Sequence, residues 1–75
     1  MRAKPVTQFG NYTVYDGTQE GGRAPGLMHD AARPFVVTHH YHGSYKYGGR
    51  LRRETIGNYE TRAAARSAMY RHGAR

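Results

Sequence analysis

Apolar and polar residues alternate with a period of two in three stretches of this chain and recur with a helical period in a fourth. Gln8–Tyr15 (QFGNYTVY) places Tyr12 and Val14 on one side and Thr13 and Tyr15 on the other, which predicts a strand. Asp16-Gly17 closes it with residues that favour turns. Residues 16–34 read as a long loop. The part through Gly26 is rich in glycine, Leu27–Ala32 has room for one helical turn or can remain irregular, and Pro34 disfavours helix at Arg33. Phe35–His42 (FVVTHHYH) is the best strand, with Phe35, Val37, His39 and Tyr41 on one face and Val36, Thr38, His40 and His42 on the other. Gly43-Ser44 and Gly48-Gly49 bracket Tyr45-Lys46-Tyr47 as a hairpin connection. Arg50–Ile56 alternates again: Leu51, Arg53 and Thr55 oppose Arg50, Arg52, Glu54 and Ile56. Gly57-Asn58 is expected to end this third strand.

Thr61 is a suitable N-cap for a helix over Arg62–His72 (RAAARSAMYRH), and Gly73 is a natural stop. Ala64, Ala65, Ala68, Met69 and His72 form a narrow apolar stripe, with Arg62 and Arg66 one turn apart beside it. The order predicts an α+β fold: a three-stranded antiparallel sheet with one C-terminal helix packed on one face. One small domain is expected, with 1–7 and 73–75 flexible.

Composition limits the core. Leu, Ile, Val and Phe supply nine of 75 residues, so the seven tyrosines and nine alanines must complete it. Tyr41 and Tyr59 are expected to face inward. A core this thin gains only a few kcal/mol, which favours a partner or a homodimer. There is no cysteine, so disulfide and cysteine–zinc scaffolds are excluded. No apolar run approaches a membrane span or a signal-peptide core, and the expected setting is the cytoplasm.

Charge narrows the class of partner. The net charge is +7, and residues 31–75 carry all of the excess. Ten of the twelve cations are arginine, whose planar fork grips phosphate and stacks on rings. Tyr45, Lys46, Tyr47, Arg50, Arg52 and Arg53 interleave rings with cations. With Arg62, Arg66, His40 and His42 they form the candidate surface for nucleic acid or another partner. The expectation is a small basic nucleic-acid-binding protein whose positive charge gathers on one hairpin and sheet face. The alternative is a small phage-type interaction or inhibitor protein, of the anti-defence or anti-CRISPR kind, docking on an acidic or nucleic-acid-binding surface of a host protein. Tyr and Arg serve both, because they are also the residues of protein-interface hot spots.

The stretch Ile56-Gly57-Asn58-Tyr59-Glu60-Thr61-Arg62-Ala63-Ala64-Ala65-Arg66-Ser67-Ala68 resembles the end of an AP2-type DNA-binding domain and its phage and integrase relatives. Ile56, Gly57, Tyr59, Glu60, Thr61, Ala65 and Ala68 match that pattern; the family's tryptophans are absent, and Met69 stands in place of its helix tyrosine. The resemblance implies that Gly57 turns the chain out of the sheet, Tyr59 fills the gap between sheet and helix, and Thr61 caps the helix. It also implies that strands rather than the helix enter the major groove, with basic side chains on the outer sheet face touching DNA.

Other chemistry is sparse. His40 and His42 share a strand face at a spacing that can chelate a metal, with His29 or His72 as a third ligand, yet too few ligands stand at defined spacing to call a metal site. A base at His40 oriented by Glu54 across the hairpin would need a pocket. The two serines, Ser44 and Ser67, lack a nucleophile motif, and the acids are scattered. No cofactor fingerprint is present, so neither a cofactor nor an enzymatic activity is expected.

Overall fold

The computed structural model describes residues 4–24, 26–42 and 51–74. Strands β1 (Val6–Phe9), β2 (Tyr12–Asp16), β3 (Phe35–His42) and β4 (Leu51–Tyr59) form one antiparallel sheet in the order β1-β2-β3-β4, and helix α1 (Arg62–His72) packs on one face.

The sheet has four strands where the sequence pattern predicted three. The stretch read as one strand, Gln8–Tyr15, is a hairpin with Phe9 opposite Tyr12 and Gly10-Asn11 as its two-residue turn. Gly10 has φ 59, the positive value that such turns need at their first central position and that glycine reaches without steric penalty. β-Formers on both sides of the turn made the stretch look continuous. Val6 and Thr7, expected in a flexible end, belong to β1, and the third predicted strand runs on to Tyr59 rather than stopping at Gly57.

The helix follows its local signals. Thr61 Oγ1 accepts from the Ala64 amide at 3.1 Å, and Gly73, at φ 140, donates its amide to the Met69 carbonyl at 3.2 Å. Ala65, Ala68 and Met69 are buried. Ala65 and Met69 meet Tyr12 and Val14 of β2 and Val37 of β3, with Phe9, Phe35, Ile56, Tyr59 and Ala74 around them. The alanines keep the helix close to the sheet, and Met69 fills the space that remains.

Gly57 stays within β4. A Cβ there would lie 2.9 Å from the Tyr59 hydroxyl, so glycine leaves room for that ring to lie back along its own strand.

The opposite face of the sheet is covered as well. Val36 and Thr38 are fully buried although the helix lies on the other side. The 17–34 connection reaches this face: Asn58, paired with Val36, donates Nδ2 to the Met28 carbonyl at 2.8 Å, and Gly26 sits beside the Arg53 guanidinium. The loop is anchored where it leaves β2. The Asp16 carboxylate accepts from the Thr18 amide and hydroxyl and from Gln19 Nε2, and Gly17 donates its amide to the Pro34 carbonyl at 3.0 Å. The helical turn considered for Leu27–Ala32 does not form. Asp30 instead accepts from the Arg33 amide through its carbonyl and from the Ala32 amide through its side chain, making a tight turn. α1 has 11 residues, and among the described residues no helix is long and apolar enough to cross a membrane.

Candidate functional site

Two features at one end of the sheet carry the chemistry, and a β-bulge builds both. Phe35 pairs with Tyr59 and Val37 with Gly57, but Thr38 pairs with Thr55, leaving Ile56 as an extra residue in β4. The bulge shifts the phase of β4 by one. Beyond it Glu54 and Arg52 lie on the helix side, opposite His39 and Tyr41, while Arg53 and Leu51 lie on the other side, opposite His40 and His42. The pairing of His40 with Glu54 considered from the sequence therefore does not occur; His39 takes that position.

The first feature is a ribbon. β2 pairs with β3 only as far as His39, and the His40 amide makes a last bond, to the Asn11 carbonyl at 2.7 Å. From His40–Arg53 to His42–Leu51 the pairing continues between β3 and β4 alone. Leu51, Arg52, Arg53, Tyr41 and His42 are exposed. Tyr41, expected to face inward, is on the helix side of the sheet but past the helix end; it is 37% exposed and its ring stacks on His39.

The second feature sits at the root of this ribbon, under the last turn of α1. His39 Nδ1 lies 3.0 Å from Glu54 Oε1, and His72 Nε2 lies 3.6 Å from the same oxygen. Tyr12 bonds His72 Nδ1 through its hydroxyl at 2.8 Å, and its ring stacks on His39 with centroids 4.6 Å apart. The His39 and His72 rings are 5.1 Å apart. Two strands, the helix terminus and a core tyrosine thus converge on one carboxylate. The sequence pattern offered His72 as a partner for His40 and His42; the helix packs on the other face, so His72 meets His39 instead, and Glu54 reaches them only through the bulge.

The remaining sequence candidates are dispersed rather than gathered on one plane. Arg52 and Arg53 lie on opposite faces of the ribbon, and His40 and His42 share the Arg53 face. Arg62 is committed internally: it bonds Asp16 Oδ2 at 3.1 Å and lies over the Phe35 ring. Arg66 lies over Phe9 at the other end of the sheet order. Tyr45, Lys46, Tyr47 and Arg50 lie outside the described residues. Val36 and Thr38 are fully buried, so that part of the sheet is not open to a partner, whereas the ribbon residues Arg52, Arg53 and His42 are exposed.

Electrostatics separate the two ends of β2. At Asp16, burial works to raise the carboxyl pKa. The Thr18 hydroxyl, the Gln19 amide, the Thr18 N–H and the Arg62 charge outweigh it, holding the group below its ordinary value. That acid is therefore a structural anchor, whereas Glu54 is exposed beside two imidazoles. Searches against protein families, curated proteins and solved structures found no match to this chain, so its own geometry carries the functional reading.

Proposed function

We propose that this protein binds duplex nucleic acid, with the β3–β4 ribbon as the element that enters the groove. The observation that carries this reading is the ribbon that β2 no longer flanks, with Arg52 and Tyr41 on one face and Arg53, His40 and His42 on the other. A two-stranded ribbon with its side chains is about 10 Å thick. The major groove of B-DNA is about 12 Å wide and admits such a ribbon. Arginines on both faces then reach phosphates on either wall, while the rings and imidazoles offer stacking and hydrogen bonds to base edges. The net charge of +7 supplies the long-range attraction, and a cytoplasmic setting would bring the protein to its polyanion.

The test is fluorescence anisotropy with a short labelled B-form DNA duplex, run in chelator across a range of salt. Wild-type binding should weaken along a straight log–log line. Replacing Arg52 and Arg53 together by Ala should make that slope shallower by about 1.8, the loss of two phosphate contacts. Duplex RNA of the same length should bind more weakly, because its major groove is too narrow for a ribbon. Absence of DNA binding at low salt would overturn the proposal and favour docking on an acidic protein surface.

A further inference from the structure

We infer that His39, Glu54 and His72 form a binding site for a divalent transition metal of the zinc class. Their donor atoms, one per residue, all lie within 4.8 Å of one another. Tetrahedral zinc with bonds of about 2.0–2.1 Å to nitrogen and oxygen sets neighbouring donors about 3.3 Å apart. The observed separations from Glu54 Oε1, 3.0 Å to His39 Nδ1 and 3.6 Å to His72 Nε2, fall on either side of that value. The remaining pair of donors lies within 4.8 Å, and Glu54 and His72 are exposed side chains whose rotation would close the set.

The surroundings suit a ligand set. The Tyr12 hydroxyl holds His72 Nδ1 at 2.8 Å, so with a proton on Nδ1 the lone pair of Nε2 faces the other two donors. The stacked Tyr12 ring fixes the plane of His39. Two imidazoles and one carboxylate match zinc, and also cobalt, nickel and copper, better than calcium or magnesium. Three protein donors leave a fourth position, which opens to solvent past Glu54 and His72 and would hold water or an anionic oxygen. The ion would tie the end of α1 to the root of the ribbon. This site differs from the His40–His42 pair suggested by strand spacing, which lies on the other face of the sheet.

The test uses the full chain titrated with Co2+, whose tetrahedral complexes absorb strongly in the visible. Wild type should take up one ion per chain with intense visible bands, and equimolar Zn2+ should erase them. Glu54→Gln, nearly isosteric, and His72→Ala should each weaken binding by at least about tenfold. Tyr12→Phe should weaken it by about tenfold while keeping the shape of the spectrum, as expected for a positioning residue. The double variant His40→Ala/His42→Ala should bind as wild type does. Circular dichroism in chelator checks that each variant retains its helix, and Glu54→Gln stands as the test if His72→Ala does not fold. No visible bands from wild type would overturn the inference. So would binding that survives Glu54→Gln but is lost in the His40/His42 double variant. Because DNA binding is measured in chelator, the two proposals fail independently.

Discussion

Asp16 and Arg62 meet at 3.1 Å across 46 residues of sequence, joining the last residue of β2 to the first residue of α1. Tyr12, at the start of the same strand, bonds His72, the last residue of the same helix, at 2.8 Å. β2 therefore clasps the helix at both ends, and the apolar contacts of Val14 with Ala65 and Met69 lie between the two polar clamps.

The Asp16 clamp makes stability sensitive to acid. Its folded-state pKa lies below the ordinary value, so its contribution is complete above the unfolded-chain value near 3.8 and is lost as pH falls through the lower folded-state value. Asp16→Ala should cost about 2 kcal/mol at pH 7, because the buried carboxylate is lost together with its hydrogen bonds from Thr18 and Gln19. Arg62→Ala should cost only about 1 kcal/mol, since Arg62 is partly exposed and the carboxylate keeps its other hydrogen bonds. Urea unfolding at pH 7 and at pH 3 checks both, and the acid loss of stability should be smaller in Asp16→Asn than in wild type.

The Tyr12 clamp is weaker. Tyr12→Phe removes the hydroxyl bond to the exposed His72 imidazole and should cost about 1 kcal/mol, with the core ring preserved. Denaturation in chelator measures this without any contribution from bound metal.

Met69 is fully buried between helix and sheet. Met69→Ala should cost about 3 kcal/mol through the lost transfer energy and the cavity left behind. A domain of this size has only a few kcal/mol in total. The far-UV spectrum of this variant should thus lose its cooperative thermal transition, while Ser67→Ala on the exposed face keeps it.

Glycine is required at Gly22 for reasons of space. A Cβ there would fall 1.7 Å from the Asp16 carbonyl oxygen, which is backbone and cannot move alone. Gly22→Ala should destabilise by about 2 kcal/mol and loosen the loop over Val36 and Thr38. Gly10→Ala meets no neighbour and should cost about 1 kcal/mol through its positive φ alone. Comparing the thermal midpoints of the two variants orders them.

Much of this architecture was legible in the chain because its causes are local. The helix begins at its Thr61 cap and ends at Gly73 where those signals stand, and the two faces of β3 follow from simple alternation. The Gly10-Asn11 turn was equally local, since glycine followed by asparagine between β-formers is a hairpin signal; the β-formers on both sides of it hid the reversal. His72 was named as a possible ligand, but with His40 and His42, because nothing in the chain says which face of the sheet the helix covers.

The sequence by itself determined the helix and the strand at Phe35–His42, because capping and side-chain period act within a few residues of the chain. Only the tertiary structure decided the phase of β4 beyond Ile56, and with it which of Glu54 and Arg53 would meet His39. A bulge is set by packing on both sides of a sheet, and no period along one strand encodes it. Tertiary packing likewise decided that the 17–34 loop would reach the second face of the sheet, where Val36 and Thr38 are buried, and that the ribbon would stay exposed.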